Sequence, residues 1–145
     1  MREDRPILLI DDDVDFCCLF QIAFEEARIT PAIEVIHDGW AAVDNLRERL
    51  ESGMSGAVPR LILLDLRMPG FSGLEVLRWI REQPALDPVA VVVFTGLEEA
   101  REHARAIRLG ATALRLKPFA YRDLIKEAAD LRDTYVEDGA LKHAA

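Results

Sequence analysis

Five residues that can bind a metal ion or a phosphoryl group lie at or just beyond the ends of four short apolar runs. Asp11 and Asp12 follow ILLI, Asp65 follows LILL, Thr95 follows VAVVVF and Lys117 follows ALRL. An aspartate can act as a nucleophile that forms an aspartyl phosphate. Carboxylate oxygens suit Mg²⁺, while a lysine ammonium and a threonine hydroxyl can contact phosphoryl oxygens. This set of residue types indicates phosphoryl transfer.

The apolar runs alternate with segments of helical periodicity, which is typical of consecutive βαβ units. We predict five strands, at Ile7 to Ile10, Ile33 to Ile36, Leu61 to Leu64, Val89 to Phe94 and Ala113 to Leu116. We predict five helices, at about Val14 to Ala27, Trp40 to Leu50, Leu74 to Glu82, Glu98 to Leu109 and Tyr121 to Tyr135. Because parallel strands end at one edge of a sheet, the five residues are expected to meet there.

The chemistry expected at that edge has an electrostatic requirement. A carboxylate such as Asp65 repels the oxygens of a phosphoryl group, so the reaction needs a divalent cation and fixed positive charge. Asp11 and Asp12 could hold Mg²⁺, and Lys117 could supply the charge. Each signal alone has a plainer explanation, since acidic residues after a strand often cap a helix. Their occurrence together at one predicted edge favours the phosphoryl site.

Composition limits the other possibilities. The 145 residues predict one α/β domain with a short lead at residues 1–6, and the net charge of -8 disfavours nucleic-acid binding. No apolar run approaches the roughly 20 residues that span a bilayer, so we expect a cytoplasmic protein without a membrane contact. Cys17 and Cys18 are neighbours in a predicted helix, where a mutual disulfide is geometrically poor. They are expected to be ordinary small apolar residues.

Three local predictions accompany this fold. The segment at residues 51–59, ESGMSGAVP, is a Gly- and Ser-rich loop insertion, more consistent with a tolerated surface loop than with a partner-binding element. The fourth helix repeats Ala100, Ala104 and Ile107 as its apolar stripe and ends at Gly110, a natural residue for a left-handed helix end. Residues 136–145 are expected to form a frayed tail after the domain.

With these motifs in place, the chain closely resembles the receiver domain of bacterial two-component response regulators over about residues 7–135. The motifs that carry the resemblance are ILLIDDD at 7–13, LILLDLRMPGFSG at 61–73, VVVFTG at 91–96, GATAL at 110–114 and LKPF at 116–119. The resemblance implies a flavodoxin-like (βα)5 fold with strand order 2-1-3-4-5 and helices on both faces of the sheet.

The resemblance also implies residue roles. Asp65 would be the phosphoacceptor that takes a phosphoryl group from the phosphohistidine of a sensor histidine kinase. Mg²⁺ would be held by Asp12 directly, Asp11 mainly through water, Asp65, and the backbone carbonyl of Arg67. Asp13 is better interpreted as a helix cap. Thr95 would hydrogen-bond the phosphoryl group and move on activation, and Lys117 would contact it and precede a cis peptide to Pro118.

The chain departs from the family pattern at Leu114, where receiver domains commonly carry a Tyr or Phe that changes rotamer with the threonine. Phe94 and Phe119 are aromatic, but core packing is the expected role of both. Arg67 and Leu97 occupy positions that modulate access of water to the acyl phosphate in this family. The usual switch beyond Thr95 is therefore in question.

The same resemblance bears on partners. The domain ends with its fifth helix, so output through contacts with a downstream protein is expected, as in stand-alone receivers associated with phytochrome-type kinases. The family's interaction surface corresponds to residues 98–135, which could also form a homodimer, with Leu109, Tyr121 and Tyr135 as candidate contacts or as packing residues. Trp40 is expected to cover the edge of the sheet rather than to form a partner contact, and Trp79 to flank the core. Three histidines are expected at the surface: His37, His103 and His143.

Two other functions compete with the phosphorylated binding module. One is a receiver-fold scaffold that signals without phosphorylation, an alternative that Leu114 leaves open. The other is a phosphatase of the haloacid-dehalogenase type, which also uses a strand-end aspartate, Mg²⁺ and a lysine. That family places a second aspartate two residues after the nucleophile, where this chain has Arg67. We therefore predict a binding module without an enzymatic output domain.

Overall fold

A five-stranded parallel sheet forms the centre of the protein, whose computed structural model describes residues 5–96 and 100–136. The strands are β1 (Ile7–Ile10), β2 (Ile33–Ile36), β3 (Leu61–Asp65), β4 (Ala90–Thr95) and β5 (Ala113–Leu116). Their order is β2-β1-β3-β4-β5 and all neighbours are parallel. The predicted flavodoxin-like α/β fold is confirmed, and the strand bounds differ from the predicted ones by at most one residue.

Helices cover both faces of this sheet. They are α1 (Val14–Glu26), α2 (Gly39–Glu51), α3 (Gly73–Arg81), α4 (Ala100–Leu109) and α5 (Tyr121–Leu131), with short 3₁₀ turns at Ser55–Ala57 and Pro84–Leu86. Polar caps fix where three of them begin. Asp13 Oδ1 accepts a hydrogen bond of 3.0 Å from the Phe16 amide, and Asp38 Oδ1 accepts one of 2.9 Å from Ala41. Ser72 and Glu75 form a reciprocal capping box at α3.

Two apolar clusters hold the layers together. On one face, α1 and α5 pack on the sheet around an aromatic group in which the Phe20 ring lies 4.9 Å from Phe24 and 5.7 Å from Phe94. On the other face, α2, α3 and α4 cover the sheet through residues such as Leu46 and Ile80. Strands β1, β3 and β4 are apolar without alternation because both of their faces are buried.

The predicted apolar stripe of α4 is wrong. Ala104 is exposed and the side chain of Ile107 is 55% exposed, whereas Ala106 is fully buried. The side chain of Ala100 lies outside the described part of the chain. The helix turns Ala106 and the half-buried His103, three residues apart, toward the sheet. Hydrophobic periodicity missed this face because a histidine occupies one of its positions.

The predicted insertion is tied to the body of the protein. Helix α2 ends at Glu51, and Gly53 adopts a φ of 69°, a left-handed conformation that glycine reaches without strain. Arg49 donates hydrogen bonds to Asn45 Oδ1 at 2.6 Å and to the Ala57 carbonyl at 3.1 Å. The segment is thus joined to α2 at the last residue of its 3₁₀ turn. A role in partner binding stays a prediction.

The last helix changes geometry near its end. The α-helical part of α5 stops at Leu131 and continues as a π-helical turn, Arg132–Val136, where a regular helix to Tyr135 was predicted. Arg60 reaches from the start of β3 to the Val136 carbonyl and joins this turn to the sheet. Most of the predicted tail, residues 137–145, lies outside the described residues. Within the described chain, no helix combines the length and apolar character needed to cross a membrane.

Candidate phosphoryl and metal site

The carboxyl end of β1 contributes two carboxylates with different surroundings. Asp11 is 1% exposed, and its Oδ1 accepts a hydrogen bond of 2.9 Å from the Asp13 amide. Asp12 is exposed. Asp13 caps α1, as predicted from the acidic run. The buried carboxylate is therefore held by the backbone, while its neighbour faces the solvent side of the site.

The carboxyl end of β3 brings the third carboxylate beside the first two. Asp65 is the last residue of the strand and 6% exposed. The backbone amide of Arg67 donates a hydrogen bond to its carboxylate. The loop that follows returns so closely that a Cβ on Gly73 would lie 2.2 Å from the Asp65 carbonyl oxygen. Glycine at position 73 thus lets α3 begin directly against the strand end.

Lys117, one residue past β5, supplies the positive charge. Its Nζ lies 2.9 Å from Asp11 Oδ2 and 4.0 Å from Asp65 Oδ2. It also lies 4.4 Å from the centroid of the Phe16 ring, an arrangement that favours the ammonium through a cation–π interaction. The sequence did not indicate this role for Phe16, because the contact joins α1 to a loop about a hundred residues later.

Burial and crowding of like charges shift the acid–base equilibria of this group. Burial raises the pKa of Asp65 to about 7, and the charge of Asp11 adds to the effect against the opposing charge of Lys117. Burial also raises the pKa of Asp11, although hydrogen bonds from Lys117 and Asp13 oppose the rise. For Lys117, burial disfavours the charged form, but Asp11 and then Asp65 outweigh it and raise the pKa. One ammonium does not balance the carboxylates.

The donor set fits a divalent cation. One oxygen each from Asp11, Asp12 and Asp65 lies within 4.8 Å of the others, and no other group of three His, Cys, Asp or Glu in the described chain has such an arrangement. Three carboxylates against one ammonium leave about two negative charges, which a divalent ion with oxygen ligands would neutralise. The structure therefore brings together the predicted metal-binding carboxylates.

A cavity of about 490 Å³ opens beside these carboxylates. Its described lining comprises Asp12, Asp13, Asp65, Arg67, Gly96, Lys117 and Phe119. The predicted core role of Phe119 is wrong: it is 94% exposed, in the loop that leads from the end of β5 to α5. Phe94 is 1% exposed, as predicted. The exposed ring lies at the rim of the carboxylate pocket.

The structure places Thr95 at the end of β4, but Thr95 is not among the described residues that line this cavity. Thr95 is 2% exposed; its Oγ1 lies 3.1 Å from the Gly96 carbonyl oxygen and within hydrogen-bonding distance of His103 Nε2. The prediction that His103 is merely a surface residue is wrong. Its position three residues before Ala106 on one face of α4 was the available sequence signal.

The remaining residues singled out from the sequence have different positions in the structure. His37 is exposed, but its Nδ1 contacts the Asp11 carbonyl oxygen at 3.0 Å, so it also borders the site. The predicted cis peptide before Pro118 is wrong, since the described chain has none and adopts the lower-energy trans form there. Leu114 is half-buried against the α2, α3 and α4 side of the core. Leu97 and His143 lie outside the described residues.

Comparison with known proteins agrees with this geometry. The family model of the response regulator receiver domain matches residues 7–129. The chain is 34% identical over 130 residues to the probable methanogenesis regulatory protein FilR2 of Methanothrix harundinacea, covering 90% of this chain and 83% of that protein. It is 30% identical over 140 residues to the response regulator Rcp1 of Synechocystis, covering 97% and 95%. The chain therefore belongs to the response regulator receiver domain family.

Solved structures support the same placement. The Mn²⁺-bound form of Rcp1 aligns with a TM-score of 0.78 at 28% identity over 92% of this chain and 95% of that one. The phosphorylated cyanobacterial phytochrome response regulator RcpA aligns with a TM-score of 0.81 at 25% identity, covering 92% and 94%. A protein-glutamate methylesterase of Cereibacter sphaeroides is 32% identical, but this chain spans only 32% of its length.

Proposed function

We propose that Asp65 accepts a phosphoryl group from the phosphohistidine of a sensor histidine kinase, and that the chain signals by phosphorylation-dependent contacts with another protein. The observation that carries the proposal is the convergence of Asp11, Asp12 and Asp65 within 4.8 Å, with Lys117 Nζ 4.0 Å from the Asp65 carboxylate. This arrangement has both the negative ligands for a cation and the positive charge for a phosphoryl oxygen.

In the proposed reaction, a carboxylate oxygen of Asp65 attacks phosphorus in line with the phosphorus–nitrogen bond of the donor histidine. That bond breaks, its electron pair returns to the imidazole, and the phosphoryl group ends on Asp65. Asp12, Asp65 and the Arg67 carbonyl would hold Mg²⁺, with Asp11 acting mainly through water. The bound ion would screen the carboxylate from the phosphoryl oxygens. Lys117, which pairs with Asp11, would contact an oxygen of the transferred phosphoryl group.

Exposed apolar side chains on α1 and at the cavity rim support a protein as the phosphodonor. Val14 and Ile22 on α1 are 55% and 47% exposed, and Phe119 stands at the cavity rim. Large apolar side chains grouped beside a site are typical of docking surfaces. The similarity to RcpA, described as a phytochrome response regulator, supports a phytochrome-type kinase as the partner.

A second surface is proposed for the downstream partner or for a homodimer. Ile107 and Leu116 are 55% and 54% exposed and Tyr121 is 37% exposed, within the segment 98–135. Leu109 and Tyr135 are half-buried against the core, so packing accounts for both of them. The proposed contact set is thus narrower than the one expected from sequence.

The test is Mg²⁺-dependent labelling of the purified protein by acetyl phosphate, followed by intact mass. We expect one added phosphoryl group, lost in Asp65→Asn and after removal of Mg²⁺ by EDTA. Asp12→Asn should need at least about tenfold more Mg²⁺, since it removes a charged ligand. Asp44→Asn is the matched control: it removes a carboxylate of α2 that is 71% exposed and should label like the wild type.

Failure of the wild type to take up label or to bind beryllofluoride would overturn the proposal and favour the phosphorylation-independent scaffold. Steady release of phosphate from many equivalents of a phosphate ester would instead indicate a phosphatase.

A further inference from the structure

The hydroxyl of Thr95 is engaged by α4 and by the backbone that follows β4. Its Oγ1 contacts the Gly96 carbonyl oxygen and His103 Nε2, and Thr95 does not line the described wall of the cavity that Asp65 and Lys117 share. A threonine side chain occupies discrete staggered rotamers. Reaching a phosphoryl group on Asp65 therefore requires the hydroxyl to leave this position.

Hydrogen counting shows what the histidine contributes. A hydroxyl has one proton to donate. If Thr95 donates it to Gly96, then His103 Nε2–H donates to Oγ1; otherwise the hydroxyl donates directly to Nε2. In both arrangements the imidazole makes a hydrogen bond that exists only while the hydroxyl faces α4. His103 thus stabilises the rotamer that leaves the phosphoryl pocket.

The contact also joins the site to a helix. His103 is half-buried on the inner face of α4, one turn before the fully buried Ala106. Leu114, which is half-buried against the same side of the core, offers no hydrogen-bonding group to the hydroxyl. The hydrogen bond from β4 to α4 is therefore supplied by the helix itself and not by a side chain of β5.

We propose that His103 is a positioning residue that holds Thr95 away from the phosphoryl pocket and couples its release to α4. The inference rests on the proposed phosphorylation of Asp65. In the unphosphorylated protein the hydrogen bond ties α4 to the end of β4. When the hydroxyl donates to a phosphoryl oxygen instead, His103 loses its partner and the tie is released. Breaking that hydrogen bond costs free energy, which weakens the binding of the phosphoryl group.

The first test compares affinities for beryllofluoride, the phosphoryl analogue, in the presence of Mg²⁺. His103→Leu should bind about two- to tenfold more tightly than the wild type, which is the range that one net hydrogen bond provides. His103→Gln places an amide near the Nε2 position and should restore affinity toward the wild-type value. Arg101→Leu, an exposed position on the same helix, is the matched control and should leave the affinity unchanged.

The second test needs no substitution at position 103. The imidazole ¹⁵N signals of His103 report the hydrogen-bonding state of Nε2 by NMR. Thr95→Val removes the hydroxyl with little change of shape, and we expect it to shift the His103 Nε2 signal without any phosphoryl analogue. Beryllofluoride added to the wild type should shift the same signal in the same direction, while Thr95→Val should show no further shift of that kind.

The outcomes separate the two proposals. Unchanged affinity in a folded His103→Leu, or an Nε2 signal insensitive to Thr95→Val, would overturn the role of His103 even if the wild type binds beryllofluoride. A wild type that binds no beryllofluoride would overturn the proposed function. The Thr95→Val spectrum would then still decide whether the contact itself exists.

Discussion

The two ends of the sheet hold charges of opposite sign: carboxylates at one end and a guanidinium at the other. At the carboxyl edge, Asp11 and Asp65 are buried with one nearby ammonium. At the opposite edge, the Arg81 guanidinium extends from the end of α3 and donates to acceptors on several segments: Gly110 O at 2.9 Å, Leu86 O at 3.1 Å, Val89 O at 3.1 Å and Thr112 Oγ1 at 3.4 Å.

That difference separates stability from function. The Arg81 end places one cation against carbonyl dipoles, so its charge is compensated within the chain. The carboxylate end brings three carboxylates together near the ammonium of Lys117, and a bound cation would compensate the excess negative charge. Substitutions at the first end should therefore destabilise the protein, while substitutions that neutralise a buried carboxylate at the second should stabilise it.

Arg81→Ala should show the largest effect. Removing the guanidinium leaves several carbonyls short of a donor, and we expect the free energy of unfolding to fall by about 2–3 kcal/mol. Urea unfolding measures it. Arg78→Ala, three residues earlier, is the matched control: its ion pair with Glu82 spans 3.6 Å between largely exposed side chains and should contribute less than about 0.5 kcal/mol. Equal losses in the two variants would contradict the comparison.

Asp65→Asn should have the opposite sign. In the folded state the pKa of Asp65 is about 7 against an ordinary 3.8. The folded protein holds the proton more tightly, so stability falls as pH rises between those values and the cost is complete above about pH 7. Without Mg²⁺ at pH 8, the free energy of unfolding of the variant should exceed that of the wild type by about 2 kcal/mol.

The gain should shrink as pH falls through 7 and vanish near pH 4, which urea unfolding across that range would show. Asp44→Asn removes an exposed carboxylate, and its free energy of unfolding should stay within about 0.5 kcal/mol of the wild-type value at all pH values. A gain independent of pH would contradict burial of the Asp65 charge as its cause.

Phe16→Leu should have the smallest effect of the three, a change in the pKa of Lys117. Loss of the ring beneath Lys117 removes about 0.5–1 kcal/mol of preference for the ammonium, which lowers the pKa of Lys117. NMR titration of the lysine side chain measures it. Phe20→Leu alters the same aromatic cluster, in which the two rings lie 5.3 Å apart, and should leave this pKa unchanged. A shift in both variants would assign the effect to packing.

The site residues that could be predicted from the sequence are those whose position follows from the direction of the strands. Asp11, Asp65 and Thr95 each occur at the carboxyl end of an apolar run, and parallel strands put those ends on one edge. The start of α1 could be predicted in the same way, since Asp13 caps that helix.

The missed features depend on which way a side chain turns after the elements pack. Ile107 and Phe119 are apolar by type yet exposed, and His103 is polar yet faces the sheet. The contacts of Phe16 with Lys117 and of Arg81 with Gly110 join residues far apart in the chain. Periodicity along one element carries no information about such partners.

One stacked pair gives the molecule an optical property of its own. The Trp40 ring lies 4.2 Å from that of Phe71, six residues after Asp65 in the loop that precedes α3, and Trp40 is 60% exposed. A Cβ on Gly39 would lie 2.1 Å from the Phe71 carbonyl oxygen, so the two segments are in close contact. Any displacement of that loop changes the environment of the indole. In a Trp79→Phe variant, the emission of Trp40 therefore reports the loop next to the acceptor without an added dye.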